Sequence, residues 1–264
     1  MSTVETPVKV AAPAADTVAP PAPTAVADVV EVVFKAAWRT HIGHKRDNNE
    51  DSVLFDPDRQ LFAVADGLGG RPAGELASAL TIQSLKATGA TPGGVQAATA
   101  GLVDAIGRAN AAVLLEGEAD EGHTGMGSTV VACHVTAEGR VIIIHSGDSR
   151  AYLRRDGRLA RLTLDHVRVR SNRRLLSRCV GRARGADPDV TQLVTEPGDR
   201  LLLCTDGLTD MVGDDVIGWL LREPDPDAAA DALVEAALSA GGGDNVTVVV
   251  VDRFLPDDDK DPEE

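Results

Sequence analysis

Along this chain the longest apolar stretches are nearly unbroken: LFAVAD (61–66), STVVACHV (128–135), RVIIIHSGD (140–148), DRLLLCTD (199–206) and NVTVVVVDRF (245–254). Rich in valine and isoleucine and bounded by glycine or charge, they predict buried strands. VVEVVFKAAW (29–38) and SVLF (52–55) predict two more, the latter joined to 61–66 across the turn residues Asp56 to Arg59. RAYLRR (150–155) and RLARLT (158–163) flank Asp156-Gly157, a strong signal for a two-residue hairpin. Elsewhere the period changes. Leu76, Leu80 and Leu85 share one face of a helix predicted from Gly74 to Ala87, and Val95, Leu102, Ile106 and Val113 mark a second after Thr91-Pro92. Residues 214–222 and 226–239 predict two further helices. Strand runs and hairpins separated by helix pairs imply an α+β layered fold, not repeated βαβ winding.

The ends of the chain lack this patterning. Residues 1–28 are mostly alanine, proline and valine, too poor in large apolar side chains to offset the entropy of ordering. The closing PDDDKDPEE is a self-repelling acidic run. The expected organisation is a tail over 1–28, a folded domain over 29–254 and an acidic tail over 255–264. The formal net charge of −15 argues against nucleic acid or an anionic membrane as a partner. Cys133, Cys179 and Cys204 have no CxxC spacing, which suits a reducing compartment. No stretch approaches eighteen consecutive apolar residues and no basic segment precedes an apolar one at the N-terminus, so a cytoplasmic protein is expected.

Chemistry enters where strands end. Asp66 and Asp206 each close an apolar run and precede glycine, Asp148 lies in HSGDSR, and Asp244 follows three glycines just before the last strand. Glycine lets a backbone turn sharply and lets an ion or carbonyl approach closely, while carboxylates are the hard oxygen ligands that Mg²⁺ or Mn²⁺ prefers. A single Asp-Gly pair is more often just a turn. Converging carboxylates without bases repel one another, and a divalent cation is the natural compensation. Covalent routes find no support: there is no GxSxG elbow, no cysteine in a CxxxxxR cradle, and residues 67–72 break the GxGxxG pattern at Pro72.

In order, RDNNEDSV (46–53), VADGLGG (64–70), GMGSTV (125–130), SGDSRAYL (146–153), LTLDH (162–166), LLCTDGLTD (202–210) and GGDNVTVVVV (242–251) resemble the signature segments of the metal-dependent protein serine/threonine phosphatases of the PP2C type, in their bacterial form. The resemblance spans about residues 32 to 253. It implies a four-layer α/β/β/α sandwich of two antiparallel sheets flanked by helices, with two Mn²⁺ or Mg²⁺ ions at one end. It also implies that Asp66 bridges both metals, that the Gly67 carbonyl binds one, and that Asp206 and Asp244 hold the other. Glu50 and Asp51 would act through metal-bound waters, and Asp148 would share a weaker third metal with Asp206. Arg46 would grip the substrate phosphate, to which its planar fork is suited. Asp66, Asp206, Asp244 and Arg46 are thus the expected catalytic set. The implied partners are phosphorylated proteins, a serine/threonine kinase among them, and the expected state is a monomer.

Two features depart from the family. Leu68 stands where many members carry a histidine proposed as general acid, and leucine cannot donate a proton. The stretch 167–187 is shorter than the family's mobile flap, leaving the basic run of 168–184 as its remnant. That run reads as a solvated helix or loop, or as a patch that recruits a phosphorylated or acidic partner. His166 is expected to stabilise its turn by hydrogen bonding, and Arg150 to brace the site against a carboxylate. Two other functions stay open: a phosphoprotein-binding module that kept the fold without turnover, and a phosphatase of a partner-switching pathway.

Overall fold

The computed structural model describes residues 33–68, 73–88, 94–136, 139–170 and 173–254; the expected tails over 1–28 and 255–264 lie outside them. Among the described residues the strands run as β1 (Val33–His41), β2 (Asp51–Asp56), β3 (Leu61–Asp66), β4 (Val130–Val135), β5 (Arg140–Ser146), β6 (Arg150–Arg155), β7 (Arg158–Arg161), β8 (Val167–Arg170), β9 (Arg173–Leu176), β10 (Asp189–Val194), β11 (Arg200–Cys204) and β12 (Val246–Phe254). The helices are α1 (Gly74–Lys86), α2 (Gly94–Ala119), α3 (Asp206–Thr209), α4 (Asp214–Leu220) and α5 (Pro226–Ser239). One antiparallel sheet has the order β1-β12-β11-β6-β7, a second has the order β10-β5-β4-β3-β2, and β8-β9 form a separate hairpin.

The unbroken apolar runs have a simple physical cause: both faces of the central strands are buried. On β5, Ile142 and Ile144 pack outward with Leu102, Ile106 and Val113 of α2, whereas Val141 and Ile143 point inward. On β12, Val246, Val248 and Val250 pack outward with Leu233 and Val234 of α5, whereas Val249 and Val251 meet the other sheet through Phe62, Val64 and Cys133. Three apolar layers therefore separate four structural ones, and the fold is the expected α/β/β/α sandwich. Side chains of period two serve two cores at once. Helix α2 is long and apolar enough on length and composition to cross a membrane. Its apolar residues nevertheless form the outer core over β4 and β5.

Several boundaries differ from expectation. Strand β1 is described from Val33 and continues to His41, because Thr40 and His41 pair with Thr247 and Val246. The expected 29–32 portion lies outside the described residues. Strand β10, with no apolar run of its own, forms by pairing with β5 from Asp189↔His145 to Val194↔Arg140. The basic run of 168–184 is neither helix nor bare loop at its start, where β8 and β9 pair from Val167↔Leu176 to Arg170↔Arg173.

Candidate metal centre

Strand pairing brings the sequence-predicted acids together. The β2–β3 register sets Asp51 directly opposite Asp66, a like-charged cross-strand pair. Asp206 opens α3 as β11 ends, and Asp244 lies in the turn before β12. Asp148 lies between β5 and β6. Arg46, Asp66, Asp148, Asp206 and Asp244 line one cleft of about 480 Å³, together with Leu68, Thr129 and Arg174. Among the described residues no three of these acids bring ligand atoms within 4.8 Å of one another. Asp66 and Asp206 meet side chain to side chain, and the other carboxylates line the cleft around them.

Glycine works here by close backbone approach. A Cβ on Gly67 would stand 2.2 Å from the Gly74 carbonyl oxygen at the start of α1, and one on Gly207 would stand 1.8 Å from that of Asn245. Only glycine lets α1 and the Asp244–Asn245 turn lie so close to the two Asp-Gly corners. Asn245 then fastens the cleft's rim. Its buried side chain accepts from the Glu50 amide at 2.8 Å and donates to the carbonyls of Ile42 and Asn48, both at 2.9 Å. Around Asp51, the hydroxyls of Thr205 and Thr247 donate to Oδ2 at 2.9 and 2.6 Å. Its Oδ1 is buried and has no hydrogen-bond partner.

The charges are unbalanced. Burial first, then the charges of Asp51, Asp206 and Asp244, hold the Asp66 carboxyl well above the usual carboxylate range. Burial, then Asp148, Asp210 and Asp244, pushes Asp206 up to about 7. Burial pushes Asp51 to about 6, against the opposing threonine hydrogen bonds. Burial also raises Glu50 and Asp148, opposed by Arg46 in the first case and by Arg174 in the second. Arg46 is engaged, its Nη2 donating to Asp244 Oδ2 at 2.7 Å. A cleft of hard oxygens, short of compensating bases and with a buried carboxylate oxygen unused, fits divalent cations of the Mg²⁺ or Mn²⁺ kind.

A second group, His145, His166 and Asp189, does bring three ligand atoms within 4.8 Å. Hydrogen bonding assigns it a different task. The Gly147 amide donates to His166 Nδ1 at 3.2 Å, which leaves the ring proton on Nε2, where it meets Asp189 Oδ2 at 3.0 Å. His145 Nε2 donates to the Gly147 carbonyl at 3.0 Å, and Arg178 donates to Asp189 Oδ1 at 2.6 Å. With both ring nitrogens of His166 and both oxygens of Asp189 engaged, and only His145 Nδ1 left buried without a partner, the group braces the Gly147 peptide that carries Asp148. The expected bracing role of Arg150 appears as a two-pronged contact with Asp165 at 3.0 and 2.9 Å.

Sequence reasoning missed Asn245, the threonines on Asp51, and Arg174. The DN dipeptide after three glycines was a legible signal for Asn245; Arg174 carried none, because its position depends on the β8–β9 pairing.

A family model described as Protein phosphatase 2C matches residues 39–235. The serine/threonine protein phosphatase PstP of Mycobacterium tuberculosis is 39% identical over 241 residues, which cover 84% of this chain and 46% of that protein. The chain thus spans about half the length of this relative. The serine/threonine phosphatase stp of Listeria monocytogenes is 33% identical over 250 residues, covering 86% of this chain and 98% of the relative. Among solved structures, the catalytic domain of PstP in complex with two manganese ions superposes with a TM-score of 0.76 at 38% identity, covering 84% of this chain and 99% of that one.

Proposed function

The chain belongs to the protein phosphatase 2C family, and from that premise we propose that it is a metal-dependent phosphatase of phosphoserine and phosphothreonine in proteins, a serine/threonine kinase among its substrates. The activity is assigned to residues 29–254. One observation carries the reading: Asp51, Asp66, Asp148 and Asp206 come from separate elements, and each has its carboxyl pushed up by burial and like charge.

Asp66, Asp206, Asp244 and the Gly67 carbonyl would hold two Mn²⁺ or Mg²⁺ ions, Glu50 and Asp51 would support them from behind, and Asp148 with Asp206 would take a weaker third. Cations bound there supply a water of lowered pKa and a clamp on phosphate oxygens. The remaining work falls to the protein. Arg46 receives two phosphate oxygens on its fork once the substrate takes the place of Asp244 on it. Thr205 and Thr247 fix the rotamer of Asp51, and Asn245 fixes the loop that carries Arg46. Leu68, Leu175 and Leu176 give the cleft an apolar lip that limits water. Because Leu68 donates no proton, esters with good leaving groups such as p-nitrophenyl phosphate react faster than phosphoserine.

Purified protein is expected to hydrolyse p-nitrophenyl phosphate and phosphoserine and phosphothreonine peptides with Mn²⁺, and to stop on chelation with EDTA. Activity that survives both chelation and Asp206→Ala would overturn the mechanism. Binding of phosphopeptides without metal binding or turnover would instead assign the fold to a regulatory module.

A further inference from the structure

Next to the metal cleft lies a second groove of about 640 Å³, whose walls include Arg168 and Arg170 of β8 and Arg182 and Arg184 beyond β9. Leu175, Leu176 and Arg182 line both spaces, so the groove continues the cleft. The hairpin register divides the arginines between them. Residues opposite one another share a face, so Arg174 goes with Val169, and Arg168 goes with Leu175. Arg174 lines the metal cleft and faces Asp210 and Asp165 at 3.4 and 3.5 Å. Arg168, Arg170 and Arg184 are exposed and have no carboxylate partner among the described residues. In a chain of net charge −15 with 41 acidic residues, unpaired arginines gathered in one groove stand out.

We propose that this groove binds an extended acidic segment of the phosphoprotein substrate, seating aspartate or glutamate side chains that flank the phosphorylated residue. The proposal rests on the phosphatase reading and adds what selects the substrate. The spacing of the arginines decides between an acidic segment and a single anion. Arg168 and Arg170 are two residues apart on one strand, roughly 6–7 Å along it, and so present two charges on one face. Arg184, in the turn beyond β9, adds a charge on the other wall. An array stretched along a groove matches carboxylates on alternate residues of an extended peptide, whereas one phosphate needs its forks gathered at a point. Leu175, exposed by 50% on the face it shares with Arg168, offers apolar surface to the peptide's backbone and stems.

The test compares the wild-type protein with the variant R168A/R170A/R184A, which changes no residue placed in the metal cleft. Three readouts are taken: p-nitrophenyl phosphate hydrolysis, kcat/KM on phosphothreonine peptides whose flanks are acidic, neutral or carry a second phosphate, and fluorescence anisotropy of an acidic peptide that carries no phosphate. The expected result is an acidic-over-neutral preference of about tenfold in kcat/KM for wild type, from several partly exposed pairs. The preference should fall to near unity in the variant, with hydrolysis of p-nitrophenyl phosphate unchanged. Acidic-peptide binding should weaken by a similar factor in the variant and fade as salt rises from 0.05 to about 0.5 M. No preference in wild type, or a preference that survives the variant, overturns the groove assignment while leaving the phosphatase reading intact. A gain from a second phosphate but none from carboxylates overturns the choice of occupant. Were the protein inactive on every ester, the anisotropy arm would still decide: equal binding by wild type and variant refutes the proposal.

Discussion

The two ends of the sandwich bury acids under opposite rules. At the end remote from the metal cleft, Asp252 is buried against Arg200, which also donates to the carbonyls of Leu221 and Pro224. Asp199, equally buried, receives both prongs of Arg155 at 2.8 and 2.6 Å. Each buried carboxylate there has its own guanidinium, and together they tie β11, β12 and the loop after α4 into one frame. At the other end Asp51, Asp66, Asp148 and Asp206 crowd one another instead, with Arg46 committed to Asp244. Leaving buried like charges unpaired costs stability that evolution could have recovered with an arginine, as it did at the far end. The difference separates a device that holds the fold from the one proposed to receive cations.

Mutations should divide along the same line. Asp206→Asn is expected to lower phosphatase kcat by about a thousandfold, the scale of losing a main electrostatic contact to the reacting group. The same change should leave the metal-free protein as stable as wild type or more so, because it removes a self-repelling charge; thermal melts and Mn²⁺-dependent kinetics read both. At the far end, Asp252→Asn strands Arg200 and should cost about 3–5 kcal/mol in denaturant unfolding, with kcat of the folded fraction unchanged. Equal loss of activity in the two variants would erase the distinction. Arg46→Ala should lower kcat/KM by about a hundredfold, largely through KM, and Arg46→Lys should recover part of it by restoring charge without the fork. The metal-free protein also has a pH effect. The Asp206 carboxyl is raised to about 7 from an ordinary value of 3.8, so its protonated form is favoured by folding. Its contribution to stability is complete below about 4 and lost as pH rises through about 7. Hundredfold saturation with Mn²⁺ at pH 7.5 should return about 2.7 kcal/mol, which chemical denaturation with and without the ion would measure.

Much of this arrangement was legible beforehand because burial and chemistry left separate marks. The strands of the two sandwiched cores announced themselves as apolar runs, since residues such as Ile143 and Ile144 face different cores and neither can be polar. Asp66 and Asp206 stood out because each interrupts such a run beside a glycine. What stayed hidden depends on partners distant in sequence. Strand β10 exists only because β5 offers it an edge. The pairing that places Arg174 in the cleft and Arg168 and Arg170 outside it comes from a hairpin whose sequence reads simply as basic. The brace around Gly147 could not be read from histidine spacing, since His145 and His166 meet through folding of the intervening hairpin.

Calorimetric titration of the metal-free protein with Mn²⁺ at pH 7, repeated in buffers of different ionisation enthalpy, addresses the acidic cleft most directly. Carboxyls raised to about 6 and about 7 are partly protonated there. Binding should therefore displace protons, the number released should shrink as pH rises toward 8, and Asp206→Asn should weaken binding and release fewer. Absence of Mn²⁺ binding, or binding with no proton release in wild type, would contradict the account.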